Sequence, residues 1–405
     1  MQANHRGGPG KERKLKARSD KPAAKYFLIP VYAIVFCAFF DTHAQMPVLA
    51  PYTLSFGATP FLLGLVVGSY SLLNIFGNFT GGAIIDQKGW RDPLIYGLLG
   101  VSLALLLYTQ AGSAYHLVMI RAGHGFMGGL LIPAALASLT AGKNEGSSYY
   151  MRLALFGATI GLAAITGPLF AGITANRLGF QAVYYGLAIL MAAALAAALL
   201  LLEKDHPTGS PLTAPAIPVR WILSRPKLQG AFIFALGTMG STGTLASFLP
   251  ARAGLLGLDH ARTGMLFATF ALTAIVIQVL WPGRLKPLVK GDFSGCAVGL
   301  ALLCAALVLA ASAPAAPLLY AAMVIYGTGF GFSFQGMLGL VMENSDPAWR
   351  GRAIGIFFAA YSLGVALMPP LSGLIWQYLP AVFPFYTAAA AAMLSLAAGK
   401  NSCSG

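Results

Sequence analysis

Twelve long apolar runs follow one another along this chain. They lie at roughly 26–50, 59–84, 93–111, 114–140, 152–175, 181–202, 228–250, 261–282, 293–312, 317–341, 353–377 and 380–399. Each is about 18 residues or more, the length needed to cross the hydrocarbon of a bilayer. Inside that hydrocarbon every backbone N–H and C=O must be satisfied within the segment, so runs of this kind can only be helices. The composition agrees, with 57% hydrophobic and 9% charged residues. A soluble domain averages about 25% charged residues. The expected fold class is therefore an all-α membrane protein with twelve transmembrane helices. The 48 glycines fit this expectation, because small residues let helices approach closely in lipid.

The net charge of +14 gains its meaning from where the charges sit. Of the 26 Lys and Arg residues, all but Arg177, Arg252, Arg262 and the intrahelical Arg121 fall on one side of the alternating runs. The positive-inside rule places that side, and both termini, in the cytoplasm. Anionic lipid headgroups then account for the basic balance, and no nucleic-acid partner is implied. Residues 1–25 read as a basic cytoplasmic tail rather than a secretory signal. The expected setting is the plasma membrane, crossed many times. The four cysteines, Cys37, Cys296, Cys304 and Cys403, show no metal or redox spacing. No metal and no cofactor are expected.

The chain divides at 204–227, the one long polar and proline-rich connection, into bundles at 26–203 and 228–400, with a short tail at 401–405. The bundles look like repeats. Gly82 and Gly283, Gly128 and Gly329, and Pro168–Gly172 and Pro369–Gly373 each stand 201 residues apart. Two six-helix, pseudo-symmetric bundles are a transporter architecture of the alternating-access kind.

Gly82-Ala-Ile-Ile-Asp86-Gln-Lys-Gly89-Trp-Arg91 resembles the signature loop of the major facilitator superfamily. Arg121-Ala-Gly-His124-Gly-Phe-Met-Gly128-Gly129 is similar to that family's fourth-helix motif, with His124 where Gln is usual. Gly167-Pro168-Leu-Phe-Ala-Gly172 is similar to the fifth-helix motif of its proton-coupled drug antiporters. Pro47-Val-Leu-Ala-Pro51 comes within one residue of a first-helix pattern of the twelve-helix drug exporters. The resemblance spans residues 26–400. It implies a conformational latch at Gly82, Asp86 and Gly89 with Arg91 as partner. It also implies a bend or hinge at Gly167-Pro168, flanked by Gly161 and Gly172. Two positions depart from the pattern: Gln87 replaces a basic residue, and Pro287 stands where the second half would carry the loop Asp. The lock is expected to be stronger in the first half.

Asp41 is the one carboxylate deep within an apolar run, and such a residue is a functional candidate by default. Burial disfavours the charged form of a carboxyl, which suits a proton carrier. Gln45, four residues on, shares its helix face, whereas His43 does not. Arg121 could pair with Asp41 or snorkel to headgroups. His124, one turn on, could titrate near neutral pH or merely bond a neighbouring helix. Asn74, Gln278, Gln335 and Tyr361 are polar candidates for a cavity lining. The glycine pattern Gly123-His-Gly125-Phe-Met-Gly128 lies inside an apolar helix and cannot be a dinucleotide loop. With no P-loop in the chain, ATP is not the direct energy source.

The expectation is a secondary transporter, not an enzyme. Its leading form is proton-coupled export of small amphiphilic compounds by a monomer. Uptake of a nutrient or metabolite and lipid flipping remain open on the same scaffold.

Overall fold

The computed structural model describes residues 23–140, 147–203, 218–346 and 349–404. Most of the 1–25 tail, much of the 204–227 linker and the end of the 401–405 tail lie outside the described residues. Among those described there is no strand. Twelve long helices follow in order: α1 Ala23–Ala44, α2 Pro60–Lys88, α3 Arg91–Tyr108, α4 Ala114–Thr140, α5 Ser147–Leu178, α6 Phe180–Leu201, α7 Pro226–Leu255, α8 His260–Leu280, α9 Asp292–Ser312, α10 Ala316–Glu343, α11 Arg350–Trp376 and α12 Phe383–Ser404. Among the described residues ten helices are long and apolar enough to cross a membrane, and Leu28–Ala44 forms a shorter apolar helix.

Two boundaries differ from the sequence reading. The first run was expected to be helical over 26–50, but α1 stops at Ala44 and a separate helix, Leu49–Leu54, follows a turn. Pro47 lacks the N–H that would continue the ladder, and this breaks the helix. The second run was expected to end near residue 84, but α2 continues to Lys88. No breaker intervenes before Gly89, which takes φ +87° and donates its N–H to the Ile85 carbonyl. Gly82 and Asp86 therefore sit on the last turns of a helix. Gly283 lies in a π-helical turn, Trp281–Leu285, which prolongs α8 into Lys286–Leu288.

The repeat is visible in the backbone. Gly57 and Gly257 take φ +71° and +72° at matching hairpins. Thr59 then caps α2 by accepting from the Leu62 N–H at 3.3 Å. Asp259 caps α8 by accepting from the Arg262 N–H at 2.8 Å. Such caps satisfy N–H groups that a helix start leaves orphaned.

The hydrophobic core is double. One cluster draws on residues from Val31 to Leu202, the other almost wholly on residues from Ile222 to Ala392. Two close seams join them. A Cβ at Gly64 would collide with the Pro369 carbonyl of α11, and one at Gly373 with the Pro60 carbonyl of α2. In the equivalent seam, a Cβ at Gly264 would collide with the Pro168 carbonyl of α5, and one at Gly172 with the His260 carbonyl of α8. All four contacts lie at the end opposite most of the basic residues. Toward the basic end, a Cβ at Gly82, Gly157, Gly351 or Gly355 would meet nothing within 4 Å. The seam helices are thus closed together at one end and free of such contacts at the other.

Candidate functional site

Asp41 occupies the last turn of α1, where the helix dipole disfavours a negative charge. It is 2% exposed and needs partners. Gln45 lies just past the helix end and donates from Nε2 to Asp41 Oδ1 at 2.8 Å. From α4, His124 Nε2 lies 2.9 Å from Asp41 Oδ2, with the imidazole fully buried. Arg121, one turn before His124, donates from Nη1 to Gln45 Oε1 at 2.7 Å. Pairs at i,i+4 on α1 and i,i+3 on α4 therefore face each other across the helix contact. Asp41 takes His124 directly, and Gln45 bridges it to Arg121.

Three tyrosines enclose this cluster. Tyr70 of α2 lies under the Arg121 guanidinium, 4.3 Å from ring centroid to Cζ, and meets His124 edge to face at 5.3 Å. Tyr108, which ends α3, brings its hydroxyl within 3.4 Å of His124 Nδ1. Tyr184 of α6 stacks on Tyr108 at 4.5 Å and 7°. A crevice with about 20 Å³ of room reaches Asp41 and His124 past Ala38, Thr42, Tyr70 and Ile132. That is enough for one water molecule.

The expected partner choices are refined here. Arg121 reaches Asp41 through Gln45, and the direct partner is His124. His43 turns to its own helix, with Nδ1 2.7 Å from the Phe39 carbonyl. Asn74 donates to the Gly125 carbonyl at 3.2 Å, bonding α2 to α4. Gln278, Gln335 and Tyr361 are half-buried on α8, α10 and α11. Tyr361 belongs to an aromatic group with Phe334 at 6.4 Å and Phe358 at 6.0 Å.

The latch residues are not brought together. Asp86 is exposed, and among the described residues no hydrogen bond reaches its carboxylate. Arg91 instead donates to the end of α6, from Nε to the Leu202 carbonyl at 2.7 Å and from Nη2 to the Leu199 carbonyl at 3.3 Å. Carbonyls at a helix C-terminus lack intrahelical partners and attract such a cation. Helix α5 runs unbroken through Pro168. Gly167 packs on the α1 backbone at Phe40 and Ala44, and Gly161 faces Ile275 of α8.

Sequence reasoning missed two groups. Tyr70 and Tyr108 look like ordinary core aromatics, and only the nearby α4 glycines hint at them. The other is a charge triad in the second half, where the lock was expected to be weaker. Lys286 Nζ donates to Asp292 Oδ2 at 2.8 Å and to Glu343 Oε1 at 2.9 Å, tying the α8 extension to α9 and α10.

The Major Facilitator Superfamily model matches residues 31–364 and 231–399. The multidrug efflux protein YfmO of Bacillus subtilis is 25% identical over 358 residues, 88% of this chain and 88% of that protein. The inner membrane transport protein YajR of Escherichia coli is 25% identical over 340 residues, 82% and 73% of the two chains. The fold is similar to that of the nucleoside transporter NupG, with TM-score 0.78 at 14% identity over 93% of this chain and 99% of that one. A bacterial homolog of the human lysosomal transporter Spinster, inward-facing and occupied, gives 0.77 at 15% identity over 95% and 97%.

Proposed function

From the premise that this chain belongs to the major facilitator superfamily, we propose that it exports small amphiphilic compounds in exchange for protons. The chain is a multi-pass membrane transporter and not an enzyme. Direction, coupling ion and substrate class are the proposed part. The observation that carries the proton coupling is the buried pair Asp41–His124, held by Gln45 and Arg121. With Asp41 ionised, Arg121 charged and His124 neutral, the cluster is balanced. One added proton leaves an uncompensated positive charge in a low-dielectric interior, which is costly. Proton binding therefore favours any rearrangement that relieves that charge, and this is how protonation can drive a change of orientation. Similarity to multidrug efflux proteins supports export of amphiphilic compounds.

The seams at Gly64–Pro369 and Gly264–Pro168 are the closed gate in this reading, and the basic end is the open, cytoplasmic side. Asp86 sits at the C-terminus of α2, where its charge is disfavoured and where it has no partner among the described residues, and so is poised to bind another helix once the basic end closes. In this reading residues 26–203 and 228–400 are the two moving bundles, the protein works as a monomer, and it resides in the plasma membrane.

The test uses purified protein in inside-out vesicles with an imposed pH gradient and a panel of amphiphilic compounds. Substrate-dependent collapse of the gradient, abolished in Asp41→Asn, is the expected result. Coupled transport that survives Asp41→Asn sinks the reading. Gradient collapse only with the opposite vesicle orientation points to uptake.

A further inference from the structure

Tyr70 flanks the cluster where the crevice reaches it. Tyr70 is half-buried, while the groups behind it are almost wholly buried. Its ring faces Arg121 and touches the edge of His124, and its hydroxyl lies 3.5 Å from Thr42 Oγ1 across the crevice. Helix α4 is cut to fit it. A Cβ at Gly125 would collide with the Tyr70 backbone, and one at Gly128 would meet its hydroxyl at 2.8 Å. Gly125 thus lets the α2 backbone approach closely at Tyr70, and Gly128 leaves a slot for its hydroxyl. The slot seats the ring where it contacts both the cation and the imidazole.

We propose that Tyr70 is the gate of the Asp41–His124 pair: its ring, set against Thr42, narrows the crevice beside the pair to room for a single water, and the pair exchanges protons with the bulk only when the ring moves. This rests on the proton-coupled reading above. The groups facing the pair are Gln45 from α1, Tyr70 from α2, Tyr108 from α3, Arg121 from α4 and, behind Tyr108, Tyr184 from α6. His43 lies on another face of α1. Tyr70 is the one of these that also lines the crevice. Its stacking on Arg121 couples the gate to the charge state of the cluster. Added positive charge next to the guanidinium weakens the reason for Arg121 to stay over the ring, and movement of Arg121 frees Tyr70. Tyr70 is a positioning residue in this scheme and carries no proton itself.

The experiment measures proton leak without substrate. Full-length protein is reconstituted in sealed vesicles with an internal pH dye, the membrane potential clamped, and a pH jump applied outside. Wild type should leak slowly. Tyr70→Ala should leak at least tenfold faster, Tyr70→Phe should restore most of the tightness because the ring remains, and Tyr70→Ala with Asp41→Asn should be tight again. A tight Tyr70→Ala overturns the proposal, as does a leak that persists in the double variant. Should Tyr70→Ala fail to fold, Gly128→Ala presses on the hydroxyl instead. A leak in that variant that Asp41→Asn removes supports the gate, and an unchanged leak rate overturns it. Asp41→Asn alone, assayed with substrate, reports on the coupling reading separately. If it keeps substrate-driven proton flux, the coupling reading fails whatever Tyr70→Ala does.

Discussion

The two halves place different chemistry at one position of a shared scaffold. Asp41 and Thr242 stand 201 residues apart, as do Gly125 and Tyr326. In the first half, α1 meets α4 through Asp41, Gln45, Arg121 and His124. In the second, α7 meets α10 through Tyr326, whose hydroxyl lies 2.8 Å from Ser241 Oγ and 3.0 Å from Thr242 Oγ1. Ser241 and Thr242 also donate to the Thr238 carbonyl. Neutral hydroxyls with satisfied partners are cheap to bury, and charges are not. The comparison teaches that the repeat fixes where helices cross, while Asp, His and Arg side chains have been confined to one of the two crossings.

The sharpest way to break this comparison is to truncate both sites. Asp41→Ala strands Arg121 and His124 and should cost about 3–5 kcal/mol of stability, the usual penalty for removing one member of a buried pair. Thr242→Ala should cost only about 1 kcal/mol. Denaturant or thermal unfolding in detergent checks both, and equal losses would erase the asymmetry. Gly264→Ala comes next. Its methyl group meets the Pro168 carbonyl, so the closed seam should lose about 1–3 kcal/mol as an overpacked contact. Cross-linking yield between α5 and α8 at that end should fall accordingly. Tyr326→Phe leaves Ser241 and Thr242 with their backbone acceptor and should cost about 1 kcal/mol. It should leave proton-coupled transport intact, whereas His124→Gln should impair it. The smallest effect is expected at Gly157, which has open space around it. Gly157→Ala should be neutral or stabilise α5 by up to about 1 kcal/mol through helix propensity.

Much of this was legible in the sequence because lipid leaves few choices. Run length gave the helices, and the repeated glycine and proline offsets anticipated the paired seams. Asp41, Arg121 and His124 stood out as ionisable residues where hydrocarbon punishes them. Which of them pair did not follow. Helical periodicity fixes neighbours on one helix, hence Asp41 with Gln45, but the rotation of α4 against α1 is set by packing across many residues. Tyr70 carried no mark of its own, because an aromatic in an apolar helix is ordinary core until its slot is seen. Asp292 and Glu343 carried no mark in the sequence, and Pro287 pointed to a weaker lock in the second half. Lys286 instead bonds both acids, tying the α8 extension to α9 and α10.

The seams also bear on how the molecule should respond to ionic strength. Where α2 meets α11 and α5 meets α8, backbone rests on backbone, and among the described residues no ion pair crosses either joint. A joint held by fit offers dissolved ions nothing to screen. At the basic end, by contrast, Lys286 and Glu343 are partly open to solvent, where salt weakens their attraction. Raising the salt concentration therefore acts on one end of the transporter and leaves the other as tight as before.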